Sequence, residues 1–574
     1  MIDAKQETVQ ALADHAAQGG LDRRTLLSLA TALGVSELVA SSVIDSALAA
    51  GEIQTANRGA LKAAYDYVVI GAGAAGCIIA SRLAQAGADV LVVEAGGDDE
   101  TAGAKVDDPA IWFTNITGAL DWAYPTVPTR YLNGRSIPIS AGRVLGGGTS
   151  VNASLWVHGV AQDFDSWAYN GCTGWSFADV LPVYKELENW TGGANEWRGV
   201  GGPMDVCLPK HPHPTAVAWL DASRDMGVPI LDDMNAPMRE GAGYTNMTIR
   251  PDGSRASASR AYLRPALGLP NLTLLTGTQV VSLTMEGARC NGVRLITDDA
   301  PRAITATREV IVAAGGVGSA KLLMLSGIGR ADDLRRHDIA TVVDLPGVGE
   351  NYQDHPLLEG VIFRYKGVMP PRNAGSNAVE ATSFIRSTPG RSGPDLQPVL
   401  IQLPVMTPAL VKTYGAMPSN AFTIAPGLVR PSSRGTVKLA GADWRANPLL
   451  DSGFLSTDAD LAATIRCIEH CRELGRQKAF AEISDGELVP GKPLTAAELS
   501  DFARNSTTSY FHPVGTCKMG TDALAVVDPS LRVHGVTGLR VCDSSVMPTI
   551  VTGNTNAASQ MIGAKAARMI LASA

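Results

Sequence analysis

Gly71, Gly73 and Gly76 stand in the spacing G-x-G-x-x-G, and Glu94 follows roughly twenty residues on. The first glycine permits a tight turn, and the second lets backbone N–H groups approach a pyrophosphate. The third lets a helix pack closely on a strand. Glu94 is a carboxylate placed to accept hydrogen bonds from an adenosine ribose, which argues against a ribose 2′-phosphate. The pattern alone fits FAD or NAD. A second bare strip, Gly146, Gly147 and Gly148 followed by Thr149, Ser150 and Asn152, can lie against a flat ring or a phosphate. Metal chemistry has weaker support. The eight cysteines include no CxxC pair, and Cys467, His470 and Cys471 crowd one stretch without a further ligand nearby. Helix packing is the plainer reading there, and a loop is the plainer one for His211 and His213, so no metal is expected.

These residues need elements to hold them. Residues 67–70 are apolar and β-branched, as a buried parallel strand should be. Residues 78–86 carry a helical pattern, and 90–93 form a second strand ending at Glu94. A strand before the glycines, a helix after them and an acid at that distance make the dinucleotide reading strong. Around 309–329, EVIVAAGGVGSAKLLMLSGIG supplies another strand, a glycine turn and a helix. YFHPVGTCKMG (510–520) and LRVCDSSVMPTIVTGNTNAASQMIGAKAA (539–567) add a strand, a polar turn and a closing helix. The 60 glycines in 574 residues, about 10% against a usual ~7%, are drawn in large part to such turns. With 48 basic and 56 acidic side chains the chain carries −8 at pH 7, which argues against nucleic-acid binding. The length predicts two or more domains.

These segments resemble the glucose–methanol–choline (GMC) family of FAD-dependent oxidoreductases. The likeness is carried by the turn at 71, GRVLGG at 142, GSAKLLMLSGIG at 318, LPGVGENYQDHP at 345–356, SSRGTVKL at 432–439 and both C-terminal motifs. It covers nearly everything after about residue 64. It implies an α/β (overall α+β) protein: a Rossmann-like FAD domain with a parallel sheet, discontinuous over 63–160, 251–350 and 505–574. A substrate domain over 161–250 and 351–504 would carry an antiparallel sheet backed by helices. Short strand-like runs in 360–366, 398–404 and 420–428, and a helix over 457–474, are compatible with that. The resemblance implies that Val280 contacts the adenine and that 146–152 passes along the isoalloxazine. Asp543 and Asn556 would hold the pyrophosphate and the flavin pyrimidine edge. The implied cofactor set adds Ala74, Ala75, Ala95, Arg143, Ala153, Ala314, Gly315 and Thr555 to Gly71, Gly73, Gly76, Glu94, Gly147, Gly148 and Asn152.

Oxidising an alcohol requires a base for the hydroxyl proton as hydride leaves the α-carbon for flavin N5. The resemblance gives that role to His512 in YFHPVGT. It gives the second position to Asn554 in VTGNTN, a neutral donor that orients the substrate oxygen and stabilises developing alkoxide. His355 in QDHP reads as structural. Val151 occupies the position where some relatives carry a histidine bonded to FAD, so FAD is expected to be non-covalent. The expected reaction is oxidation of a primary or secondary alcohol to the carbonyl compound, with O2 or a quinone or cytochrome as electron acceptor. A lyase or decarboxylase on the same scaffold is the alternative. The partner is a small-molecule alcohol whose identity, like the oligomeric state, the sequence does not give. Its pocket is expected from 351–504, with Pro404, Met406 and Phe422 as wall candidates for which core packing is the plainer reading.

Residues 1–62 lie outside the resemblance and read as an N-terminal extension. LDRRTLL at 21–27, an apolar run over 26–35 and Ala47-Leu48-Ala49 resemble a twin-arginine export signal, although Glu37 and Asp45 interrupt it. The expectation is export in the folded state; an amphipathic extension on a cytoplasmic protein is the alternative. No stretch reaches the ~18 apolar residues of a membrane span.

Overall fold

A computed structural model describes residues 23–573 apart from 33, 34, 36, 236–239, 298 and 299. Leu21 and Asp22 of the export-like motif therefore lie outside the described residues, as does His15.

The apolar runs form the parallel core of a seven-stranded sheet. Ala64–Ile70 pairs in parallel with Val90–Val93 on one side and with Ala300–Val312 on the other. Val90–Val93 pairs in turn with Leu272–Leu275. The long strand Ala300–Val312 is shared. Its first half continues into an antiparallel ribbon with Arg289–Thr297 and Gln279–Glu286, and Val310, Ile311 and Val312 pair in parallel with Leu539–Val541. The central strands are buried on both faces, which their near-continuous Val, Ile and Leu content requires. Helices Gly76–Gln85 and Asn556–Ala572 pack against each other beside this sheet. A Cβ on Gly563 would sit 2.6 Å from Ala75 Cα, so that crossing is close because glycine is there.

A second sheet is antiparallel throughout, in the order Ser484–Val489, Ile362–Tyr365, Ala421–Ala425, Val399–Ile401, Ala381–Phe384 and Gly241–Tyr244. Helices Pro214–Asp225 and Asp458–Leu474 back it. Phe422 stacks between Phe363 and Phe480 in that core, with ring centroids at 5.9 and 5.5 Å. Cys467 and Cys471 are buried in the same core, and among the described residues no cluster of metal-ligating side chains occurs. His213 caps the N-terminus of Pro214–Asp225, its side chain accepting from Thr215 N.

The N-terminal helices Arg23–Ala32 and Glu37–Gly59 share a small apolar contact of Leu26, Ala30, Ala40, Ile44 and Ala47. Ala47-Leu48-Ala49 thus lies within a helix. The longer helix is tied to the free edge of the seven-stranded sheet. Gln54 Nε2 donates to Leu267 O at 2.8 Å and Leu272 O at 2.9 Å, and its Oε1 accepts from Leu274 N at 3.0 Å. A side-chain amide here supplies the hydrogen bonds another strand would have made. Among the described residues no helix is long and apolar enough to cross a membrane.

Candidate active site

The glycine turn leaves the end of Ala64–Ile70. Gly71 has φ +94, and a Cβ there would lie 2.4 Å from Ala313 O, so neither the backbone angle nor the space admits another residue. The second glycine strip closes on the first. Gly146 N donates to Ala72 O at 2.7 Å, and a Cβ on Gly147 would sit 2.8 Å from Gly73 Cα. The two loops therefore meet backbone to backbone.

Glu94 is buried at the end of its strand. Its Oε2 accepts from Ala72 N at 2.9 Å and its Oε1 from Gly96 N at 2.8 Å. Burial raises its pKa, and those amides and Arg143 pull it back. On the opposite turn Asp543 Oδ2 accepts from Gly315 N at 2.8 Å and Ser319 Oγ at 2.5 Å, while Oδ1 accepts from Ser545 N at 2.8 Å.

A cavity of about 660 Å³ runs between these turns and on toward the antiparallel sheet. Of the residues expected around the cofactor, all line this cavity except Gly76. Gly76 lies behind the turn, where a Cβ would come within 1.9 Å of Gly71 O. That closeness is the helix-to-strand packing expected of the third glycine. The cavity suits a long, flat, phosphate-bearing molecule. Bare backbone at Gly73, Gly147, Gly148 and Gly315 lets such a group approach, and helix Gly76–Gln85 begins at its wall with no side chain capping its N-terminus.

His512 and Asn554 both line the same cavity and are each 8% exposed. A chain of hydrogen bonds orders them. Gln397 Nε2 donates to Asn554 Oδ1 at 3.0 Å, so Asn554 Nδ2 is the end that faces His512 Nε2, at 3.3 Å. An amide nitrogen can only donate, which makes Nε2 of His512 the lone-pair nitrogen. Nδ1 of His512 then carries the proton and donates to His355 Nδ1 at 2.9 Å. Burial drives His512 down to about 3 and His355 well below the usual histidine range, so both imidazoles are neutral near pH 7.

Beneath them, Asp354 Oδ1 accepts from His512 N at 2.9 Å, and Oδ2 accepts from Ser509 Oγ at 2.5 Å and Tyr352 Oη at 3.2 Å. Burial pushes its carboxyl up to about 7 against those bonds. Tyr510 stacks on the His512 ring at 5.2 Å and 9°, and its hydroxyl donates to Gln397 O at 2.9 Å. Phe511 between them has φ +65, a strained angle held by its own N–H donating to Ser509 Oγ at 2.6 Å.

His355 is thus not merely structural: it is the hydrogen-bond partner of the candidate base. The expected wall candidates lie elsewhere. Phe422 is core, and neither Pro404 nor Met406 lines the cavity. The wall near His512 comes instead from Leu357, Val379, Val399 and Ile401, joined by Trp112 and Ile116 at the Pro109–Asn115 turn and by Leu155. The last three lie outside 351–504, where the wall was expected. Trp112 is a signal the sequence does carry, since a large aromatic in a short turn needs something to cover.

Comparison with known proteins gives a consistent result. Two family models, both described as GMC oxidoreductase, match residues 65–357 and 431–563. The human mitochondrial choline dehydrogenase is 38% identical over 538 residues, covering 88% of this chain and 89% of that protein. The oxygen-dependent choline dehydrogenase of Brucella ovis is 38% identical over 539 residues, covering 88% and 95%. Among solved structures, pyridoxine 4-oxidase from Mesorbium loti superposes with a TM-score of 0.83 at 30% identity, over 88% of this chain and 98% of that one.

Proposed function

Since the chain belongs to the GMC oxidoreductase family, whose members bind FAD and act on CH–OH donors, we propose that it oxidises a primary alcohol to the aldehyde with His512 as the base. The observation that carries this reading is the hydrogen-bond polarity at His512, which leaves a lone pair on Nε2 beside the donor Asn554 Nδ2.

The residues present fit FAD. The glycine loops that meet at Gly73 and Gly147 leave room for a pyrophosphate against bare backbone. Val280, Glu94 and Ala95 would flank the adenosine, and the 146–152 loop with Asn556 would flank the ring system. When bound, FAD supplies the acceptor for the hydride that leaves the alcohol carbon. The protein handles the proton and the oxygen. An alcohol hydroxyl between Nε2 of His512 and Nδ2 of Asn554 gives its proton to the first as the C–H bond breaks. The second donates a hydrogen bond to the oxygen as negative charge grows there. A base held at about 3 is unprotonated at neutral pH, so no prior deprotonation is needed. The Tyr510 ring and the Asp354 carboxyl fix the plane and the backbone of His512.

Anaerobic mixing of the holoenzyme with a panel of primary alcohols should bleach the flavin absorbance. His512→Ala should keep FAD and lose at least about 100-fold in bleaching rate. Full retained bleaching in that variant would overturn the assignment. Reoxidation by air compared with reoxidation by a quinone distinguishes O2 from a quinone as acceptor.

A further inference from the structure

The end of the cavity next to His512 and Asn554 is walled by Ile116, Leu155, Leu357, Val379, Val399 and Ile401, with Trp112, Tyr510 and Phe511 completing it. The same side chains form one contiguous apolar cluster. Among the described residues, the only carboxylates lining the cavity are Glu94 and Asp543. Both are engaged by backbone amides of the cofactor turns, Glu94 by Ala72 and Gly96 and Asp543 by Gly315 and Ser545. The lining cations Arg143, Lys321 and Arg445 add positive charge and no compensation for another cation.

Two polar groups of the wall have been neutralised by the fold. Trp112 Nε1 donates to Asn377 O at 3.0 Å, and Tyr510 Oη is spent on Gln397 O. Asn115 also lines the cavity, and its Oδ1 is buried without a protein partner. It can receive a hydrogen bond, but a quaternary ammonium has no N–H to give. An aromatic cage is the other means of holding such a cation. Here one face of Tyr510 is covered by His512, and most of the remaining wall is branched aliphatic carbon.

From this wall, and resting on the alcohol oxidation proposed above, we propose that the substrate is an uncharged, apolar primary alcohol and that this chain discriminates against quaternary ammonium alcohols. That separates it in substrate class from the choline dehydrogenases it is similar to. Burying an uncompensated cation costs several kcal/mol, whereas the same volume of carbon gains from the transfer.

The test uses two alcohols of nearly equal shape, choline and its carbon isostere 3,3-dimethylbutan-1-ol. With holoenzyme under anaerobic conditions, the carbon isostere should reduce the flavin with a kcat/KM at least about 100-fold above choline. Equal or better reduction by choline would overturn this inference while leaving alcohol oxidation standing. If neither compound bleaches the flavin, and benzyl alcohol and 1-hexanol also fail, the alcohol reading itself falls and this one with it.

Discussion

Nδ1 of His355 and Nδ1 of His512 face each other at 2.9 Å, although 157 residues separate them in the chain. Only one proton fits between two such nitrogens, and the Asn554 amide on the far side of His512 decides which ring holds it. His355 therefore accepts the proton of that tautomer and holds the ring without touching the substrate. Burial disfavours charge on the His355 ring, and the backbone carbonyls of Val429 and Val551 offset part of that.

Replacing His355 tests this directly. His355→Leu leaves the His512 Nδ1–H unpaired and should lower the rate of flavin reduction roughly 100-fold with FAD still bound. His355→Gln offers an amide oxygen in place of the ring nitrogen and should retain more activity. Equal losses in both variants would reduce His355 to a packing residue.

The pH profile follows from burial at His512. With its folded pKa near 3, the base form persists far below the ordinary histidine range near ~6.5. We expect kcat/KM for an alcohol to stay level between pH 8 and pH 5 and to fall only in more acid solution. A half-maximal point at 6.5 would contradict this.

Asp354 gives the opposite sign in stability. Its folded carboxyl titrates near 7, while an unfolded one titrates near ~3.9. Between those values the folded state holds a proton that the unfolded state does not. Its contribution is therefore complete below ~3.9 and is lost as pH rises through 7. Asp354→Asn removes that titration, so the Tm of the variant relative to the parent should climb from pH 5 to pH 8.

The glycines of the turn should separate by readout. Gly76→Ala puts a Cβ 1.9 Å from Gly71 O, and the apoprotein should lose thermal stability. A Cβ on Gly73 has no protein atom nearer than Gly147 Cα at 4.0 Å. Gly73→Ala should leave the apoprotein Tm in place and reduce FAD content, because the space it fills is the one a pyrophosphate needs. Matching effects in both variants would argue against a cofactor between the loops.

Val151 lines the cavity with aliphatic carbon, which cannot bond to a flavin. Acid precipitation should release all of the yellow colour into the supernatant. Colour retained by the pellet would show a covalent link through some other residue.

The glycine turn and Glu94 were legible because their spacing is local and each residue's job is set within one strand–turn–helix. His512 and Asn554 came only through the family resemblance. Nothing in YFHPVGT or VTGNTN shows that the two side chains meet at 3.3 Å. His355 was underread for the same reason, since its significance lies in a contact across the fold and not in QDHP. The 351–504 stretch supplies Leu357, Val379, Val399 and Ile401 as expected, but the rest of the wall is not legible because the cavity opens where several segments converge. Trp112 and Leu155 reach it from before residue 160, and no periodicity in either stretch marks a residue as facing a cavity or a core. Gly76 is legible for the same local reason as the turn, its missing side chain serving the helix that packs on the strand.

The seven-stranded sheet has a temporal consequence. Its strand Leu539–Val541 pairs with Val310, Ile311 and Val312, and helix Asn556–Ala572 carries Gly563 against Ala75. The nucleotide cradle begun at residue 71 is therefore completed only by segments that follow residue 538. At ~5–20 residues per second, synthesis of the stretch between Gly71 and Asn556 takes roughly 25 to 100 seconds, and the growing polypeptide has no finished cradle during that time.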